Sequence, residues 1–542
     1  MDVQIILEGP PFPPNYHMKQ SLGQFFFDSA SKFKDRICQI DAKTEKSETF
    51  LTVKQKSVRV ALEMQKRGIT SKDVIVTCSA LTLETPVPIL ASFYLGAKVA
   101  NSDPTLSVAQ TAHMLSLVSP TMIFVQESSL TLIEESLQQA KLQAQIVVFG
   151  TCDKYPTFSD FNQAKENEEM FYPASVDIHD TGLMFFSSGT TGLPKAICHS
   201  HFSFLNLAYC FCESGLKVDT TLSYTTFYWI SGLMMLTSSF LKGGQRIVCT
   251  KVPEAKDVFE IIQKYKVTCL FLAPVLTYPL TDYANSGNFD TSSLHSILTG
   301  GTPISEQQMT KLYATFKHTC IVFAYGMTEV GMVGMFNPVT DKVLMTKKLT
   351  SSGKVAMGVS LKARTTLVDV ETNKTLGPNQ KGEFLVKSPC MMKGYYKADC
   401  SDIFDEDGFL KTGDVGYYDQ DGCLYIVERR KEMFKYLSWH IVPSAIENVL
   451  LEHPEIKEAA VFGMPINEEM GDAPAACVVL QNGSKVTVQE IADFVASKVS
   501  DREKLRGGVF IVQELPRTPS GKLKRRDVKN YVLSLNRGTN KQ

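Results

Sequence analysis

Phe185-Phe186-Ser187-Ser188-Gly189-Thr190-Thr191-Gly192-Leu193-Pro194-Lys195 is the stretch on which the reading of this chain turns. The loop follows the apolar run Leu183–Phe186, so it leaves a strand. Gly189 and Gly192 open backbone geometry that other residues avoid. Hydroxyls and main-chain N–H groups converge there, Lys195 adds a positive charge, and such a nest suits the phosphates of a nucleotide. It is not a Walker A loop, because Leu193 and Pro194 separate the last glycine from the lysine. Taken alone, a glycine-rich stretch of this kind is equally a polar surface turn.

Outward from the loop, short apolar runs alternate with helical patterns over the first four hundred residues. Val74–Cys78, Thr121–Val125, Gln145–Phe149, Gln245–Cys249, Val267–Leu272 and Cys320–Ala324 read as strands. Between them, Glu254–Tyr265 carries Val258, Ile261 and Ile262 at helical spacing. Ser305–Phe316 starts with a capping serine followed three residues later by Gln308. This alternation predicts an α/β fold with helices on the faces of parallel or mixed sheets. Alternating strands over about 342–413 predict a β-rich subdomain. Beyond it, short strands mix with the helices Pro443–Leu451 and Val488–Val499, which predicts a small α+β domain. We therefore expect a large domain over 1–427 and a mobile α+β domain over 428–542, joined by a hinge.

The 542 residues are 44% hydrophobic and 21% charged, with a formal net charge of -1. A field so close to neutral gives no reason to expect nucleic acid or an anionic membrane as partner. The thirteen cysteines are scattered and form no CxxC pair, which argues against zinc-finger and thioredoxin chemistry and for a reducing compartment. Ile5-Ile6-Leu7 is cut short by Glu8 and a proline cluster, unlike a signal peptide. No apolar run approaches the roughly 18 residues a membrane span needs, and the final residues are not Ser-Lys-Leu. The expectation is a cytoplasmic protein, a monomer or weak dimer, without a transmembrane segment.

Further motifs follow the loop in order. They are Gly300-Gly301-Thr302-Pro303, Tyr325-Gly326-Met327-Thr328-Glu329, Thr412-Gly413-Asp414, the group Arg429, Lys431 and Lys435, and Pro519-Ser520-Gly521-Lys522. With Phe185–Lys195 they resemble, in order and separation over nearly the whole chain, the signatures of the adenylate-forming superfamily. That superfamily includes acyl-CoA synthetases, coumarate-CoA ligases, peptide-synthetase adenylation domains and beetle luciferases. Lys504-Leu505-Arg506-Gly507-Gly508-Val509 looks especially like insect luciferases and their relatives.

The resemblance implies an enzyme that uses ATP and Mg²⁺ to convert a small-molecule carboxylic acid into its acyl-adenylate. Ser187, Ser188, Gly189, Thr190, Thr191, Gly192 and Lys195 would hold phosphates, and Gly301, Thr302, Pro303, Tyr325 and Gly326 would border the nucleotide. Thr328 would bond the α-phosphate, Glu329 would ligate Mg²⁺, and Asp414 would accept the ribose hydroxyls. Arg429 would reach ribose or phosphate, and Lys522 would bridge the carboxylate and the α-phosphate. Joining two anions makes such catalysis largely charge neutralisation and alignment. Glu428 would be the hinge, and Lys435 would serve the second half-reaction after the small domain rotates. Taken alone, Lys522 among Lys524, Arg525 and Arg526 reads as a solvated basic tail.

For the acid, the resemblance points to a pocket of His201, Tyr228, Trp229, Ser231, Gly300, Met332 and Val333. Trp229 replaces a histidine of beetle luciferases, and Leu207 stands where they have an arginine. An apolar pocket suits a fatty or aromatic acid, although Trp229 and Met332 are equally compatible with core packing, and His201 with a structural histidine. Ser438 stands where most relatives have glycine, and a Cβ there would crowd an approaching coenzyme A. Transfer to CoA is the leading expectation. Oxidation of the adenylate by O₂ with light emission, as in a luciferase monooxygenase, is the alternative. A non-catalytic binding protein fits poorly with the intact Lys195, Glu329, Asp414 and Lys522.

Overall fold

The computed structural model describes residues 5–14, 16, 19–186, 194–284, 287, 289–364, 375–437, 439–467, 471–518 and 522–539. Two large sheets carry most of the first four hundred residues. One runs in the order Gly394–Tyr395, Ala196–Ser200, Thr181–Phe186, Lys98–Ala100, Val74–Cys78, Met122–Gln126, Gln145–Phe149. Its last five strands are parallel, and the first two pair antiparallel. The other has six parallel strands at its centre: Cys320–Met327, Ser296–Gly300, Cys269–Leu272, Thr220–Ser223, Gln245–Val248 and Ile37–Asp41. Their strands are almost continuously buried, as expected for parallel sheets covered on both faces by helices.

The expected helices form where the apolar spacing puts them. Ala255–Tyr265 buries Val258, Phe259, Ile261 and Ile262, and Glu306–Thr315 is capped by Ser305, whose hydroxyl accepts the Gln308 N–H at 3.1 Å. Between the sheets, Phe240 meets Phe26 and Phe50 edge-on, each at 4.9 Å. Burying rings of this size contributes about 1.5–3 kcal/mol apiece.

The β-rich part differs from the expectation at both ends. It begins with a short helix, Lys342–Lys347, and its sheet extends to Arg429. The antiparallel order is Leu7–Glu8, Ser360–Arg364, Gly382–Lys387, Leu410–Tyr418, Leu424–Arg429. An N-terminal strand supplies one edge, a pairing over some 350 positions that local pattern cannot announce. The strand Leu424–Arg429 is the far edge of this sheet and so runs across the expected boundary between residues 427 and 428.

The last sheet contains Trp439–Ile441, Phe434–Tyr436, Gly471–Leu480 and Ile456–Asn467, with Gly508–Ile511 parallel to Gly471–Leu480. Pro443–Leu451 and Val488–Ala496 pack on it. The basic run after Lys522 is not a solvated tail. It opens a helix, Arg525–Thr539, that buries Val528 and Val532 one turn apart. No helix among the described residues is long and apolar enough to cross a membrane.

Candidate functional site

Asp414 and Arg429 lie directly opposite each other on the antiparallel strands Leu410–Tyr418 and Leu424–Arg429. Register therefore puts the two charges on one face. Arg429 Nε is 2.8 Å from Asp414 Oδ1. From the neighbouring large sheet, the buried Tyr325 hydroxyl donates to Asp414 Oδ2 at 2.6 Å. The turn before Asp414 needs Gly413, which sits at φ +70°. Thr412 locks that turn by donating to Phe384 O at 2.7 Å and accepting the Asp414 N–H at 3.0 Å. Each Asp414 oxygen keeps a second lone pair for a hydroxyl.

Glu329 follows the strand Cys320–Met327 and is held twice by one distant segment. Met392 N–H donates to its carbonyl at 2.7 Å, and the Tyr395 hydroxyl donates to its Oε1 at 3.3 Å. Burial, then the Glu329 charge, pushes the Tyr395 phenol up, so it remains a neutral donor. Lys195 Nζ lies 4.6 Å from the centre of the same ring. Thr328 is anchored by His199, whose Nε2 lies 2.7 Å from the Thr328 carbonyl while Nδ1 is 3.2 Å from Ser203 Oγ. Burial lowers this histidine to about 4, so the ring is neutral, with Nε2–H donating.

Lys522 comes to the site from the small domain, in a loop closed by Thr518 N–H donating to Lys522 O at 2.7 Å. Shielding from water pushes its ammonium below the usual lysine value, as does Arg429 and, less strongly, Lys431; Asp414 and Glu329 pull the other way. Burial and Arg429 likewise lower Lys431. Arg429, Lys431 and Lys522 thus act on one another and on the carboxylates Asp414, Glu329 and Glu432, a dense charge array to which a polyphosphate could bind.

Among the expected residues, Lys195, Tyr325, Thr328, Glu329, Asp414, Arg429, Lys431 and Lys522 come together. Gly300 ends a strand beside Ala324, which brings Gly301, Thr302 and Pro303 next to Tyr325. Ser187, Ser188, Gly189, Thr190, Thr191 and Gly192 lie outside the described residues, as do Pro519, Ser520, Gly521 and Ser438. Lys435 is exposed on Phe434–Tyr436. Glu428 is buried. Its carboxylate accepts Ser444 N–H at 3.1 Å, and Arg525 lies 3.6 Å away while bonding Glu447 at 2.7 Å.

The acid-pocket residues divide. Leu207 packs on Gly331, where φ is +87° and an added Cβ would lie 2.5 Å from Leu207 Cδ1. Met332 borders the same apolar cluster. Trp229 meets Tyr228 edge-on at 4.9 Å, and Tyr228 stacks on Phe186 just before the glycine loop. Ser231 follows in the helix Ile230–Lys242. Val333 points the other way, fully buried with Val355 and Leu361.

His201 is also elsewhere. Its Nδ1 accepts the Leu22 N–H at 3.2 Å, and its ring fills the space beside Gly182. Burial lowers it to about 4. Because its folded value lies below its unfolded one, the unfolded chain binds the extra proton. Stability is therefore expected to fall as pH drops from about 6.5 toward 4. His201→Asn, which keeps an acceptor but cannot titrate there, is expected to flatten this limb by up to roughly 3 kcal/mol. Chemical denaturation of both proteins across that range checks it; parallel limbs would contradict the assignment.

His199 and Tyr395 escaped the sequence reading. Each acts through a contact more than sixty residues away, and only the run His199-Ser200-His201 hinted at the first.

Residues 26–396 match the family model described as AMP-binding enzyme, and residues 445–522 match the AMP-binding enzyme C-terminal domain. Luciferin 4-monooxygenase of Photinus pyralis is 31% identical over 517 residues, covering 93% of this chain and 92% of that protein. Peroxisomal OPC-8:0-CoA ligase 1 of Arabidopsis thaliana is 29% identical, covering 97% and 95%. The solved structure of the luciferase-like enzyme from the nonluminescent Zophobas morio mealworm is 49% identical, with a TM-score of 0.76. It covers 79% of this chain and all of that one. The first family match alone spans more than half of the chain, and the order of the motifs agrees with it, so the chain belongs to the AMP-binding enzymes of the adenylate-forming superfamily.

Proposed function

We propose that the protein activates a fatty or aromatic carboxylic acid as its acyl-adenylate and passes the acyl group to coenzyme A. In the first step a carboxylate oxygen attacks the α-phosphorus, the bond to the bridging oxygen breaks, and pyrophosphate leaves. In the second, the thiol sulfur attacks the acyl carbon, the bond to AMP breaks, and the thiol proton is released. The observation that carries this reading is the array in which Tyr325 and Arg429 hold Asp414 while Tyr395 meets both Glu329 and Lys195, with Lys522 feeling the charges of Arg429, Asp414 and Glu329.

In this reading Asp414 accepts the ribose hydroxyls while Tyr325 and Arg429 fix its orientation. Lys195 and the loop before it hold the outer phosphates. Thr328, its carbonyl pinned by His199, aims its hydroxyl at the α-phosphate. Lys522 bridges the incoming carboxylate and the α-phosphate as charge builds there. The partly exposed Glu329 carboxylate, steadied by Tyr395, fits Mg²⁺, which takes few carboxylates and completes its shell with water and phosphate oxygens. Bound there, Mg²⁺ would neutralise phosphate charge.

The domain boundary we propose is near Glu428, with Lys435 presented after rotation of residues 428–542. Its exposure on the strand Phe434–Tyr436 supports a second face used in turn. All thirteen cysteines are free, which supports the cytosol.

Leu207, Gly331, Met332 and Trp229 support an apolar acid. Trp229→Ala is expected to raise kcat/KM for bulkier acids at least tenfold over the parent. Pyrophosphate exchange with a graded acid series measures it, and an unchanged preference would place Trp229 outside the pocket.

A second reading has support in the Photinus pyralis luciferase relative and the Lys504–Val509 resemblance: the adenylate reacts with O₂. Acid-dependent pyrophosphate exchange tests activation for both readings. CoA-dependent AMP release from fatty and aromatic acids supports the first. Light output with ATP, O₂ and luciferins, without CoA-dependent release, supports the second. No exchange with any acid overturns both.

A further inference from the structure

We propose that Tyr395 is a positioning residue that holds Lys195 and Glu329 at a set separation, so that one aromatic side chain aligns the phosphate-binding cation with the carboxylate that faces the metal. The proposal rests on the function given above. Its basis is a convergence of contacts on one short segment.

Tyr395 sits on the two-residue strand Gly394–Tyr395, paired antiparallel with Ile197, two residues after Lys195. That pairing is extended by Tyr396 N–H donating to Ala196 O at 2.8 Å and Lys393 N–H donating to Cys198 O at 2.8 Å. The segment is therefore stitched to the strand that leaves the glycine loop. On its other side, Met392 N–H holds the Glu329 carbonyl at 2.7 Å. From this fixed backbone the Tyr395 ring lies under the Lys195 ammonium at 4.6 Å, and its hydroxyl meets Glu329 Oε1 at 3.3 Å.

The two contacts use different parts of the side chain. The ring face attracts a cation through its quadrupole. The hydroxyl donates to a charged acceptor. A phenylalanine keeps the first and loses the second; a leucine loses both. This separation makes the role testable, because a side chain that merely filled space would not divide its effects in that way.

Three variants are compared with the parent: Tyr395→Phe, Tyr395→Leu and Glu329→Gln. Acid-dependent pyrophosphate exchange is measured against Mg²⁺ and against ATP. Binding of ATP with and without Mg²⁺ is measured by calorimetry, independently of turnover. Tyr395→Phe is expected to raise the Mg²⁺ needed for half-maximal exchange about five- to tenfold, with Mg²⁺-free ATP binding unchanged. Tyr395→Leu is expected to weaken Mg²⁺-free ATP binding as well, by about three- to tenfold. In a double-mutant cycle, adding Tyr395→Phe to Glu329→Gln is expected to cost nothing further in Mg²⁺ dependence.

Equal parameters for Tyr395→Phe and the parent would overturn the proposal, as would additive effects in the cycle. If Tyr395→Leu unfolds, the phenylalanine variant and the cycle still decide it. A parent protein with no exchange at all would instead strike the proposed function, so the two failures are distinguishable.

Discussion

Lys522→Ala is expected to lower the rate of acyl-adenylate formation by about 10²- to 10³-fold, the scale of removing one preorganised charge donor from a developing anionic centre. Thioester formation from supplied acyl-adenylate is expected to be nearly unchanged, because Lys435, on another strand and exposed, faces a different task. Stopped-assay pyrophosphate exchange measures the first step, and CoA consumption from synthetic adenylate the second. Equal losses in both would overturn the division of labour.

The same lysine makes a second, opposite signature. Its folded value lies below its unfolded one of about 10.4, mainly through shielding from water and then through Arg429. Between those two values the unfolded chain binds the extra proton, so folding stability rises with pH across that window. Below it, the charged lysine lowers stability in full. Lys522→Met is therefore expected to raise the Tm of the nucleotide-free protein at neutral pH while it disables adenylation. The difference should vanish above the unfolded value. A lysine that served only packing would lower Tm when shortened or neutralised, and would not show this pH dependence.

Asp414→Ala is expected to raise KM for ATP by about 10²-fold, since it removes an acceptor for two hydroxyls, each such bond to a charged group being worth about 1.5–3 kcal/mol before losses elsewhere. Fold stability should drop by about 1–3 kcal/mol, because the buried Tyr325 hydroxyl loses its acceptor and Arg429 its partner. Asp414→Asn separates the two. Its amide oxygen can still accept from Tyr325 or Arg429, so stability should largely recover while ATP binding stays weakened by the loss of charge. Nucleotide titration and denaturant melts of both variants report this. Recovery of ATP binding in Asp414→Asn would mean that the carboxylate charge does not matter to the nucleotide.

Much of the architecture could be read from spacing. Val74–Cys78 and Gln145–Phe149 form strands where the apolar runs place them, and Ser305 caps its helix as the Gln308 spacing implies. The order of the motifs, from the glycine loop to Lys522, was enough to place the chain in its family. Those signals are local: a strand or helix face must show its own period in order to bury.

Other features had no local trace. Nothing near Leu7 tells that it pairs with Leu361, and the basic run at Lys524–Arg526 looks solvated until Arg525 is seen to reach Glu447. His201 and Val333 carried the right chemistry at motif positions, yet one supports Leu22 and the other faces a separate core. Tyr395 offered no signal at all, although it touches both Lys195 and Glu329.

By itself, then, the order of residues determined the element types, the family and the charged groups of the site, because these depend on short periods and on motif spacing. Only the tertiary structure decided which of those groups meet. Contacts such as Tyr325–Asp414 and Tyr395–Glu329 depend on sheet register and on the packing of one sheet against another within the large domain, and a register shifted by one residue would turn each side chain to the opposite face.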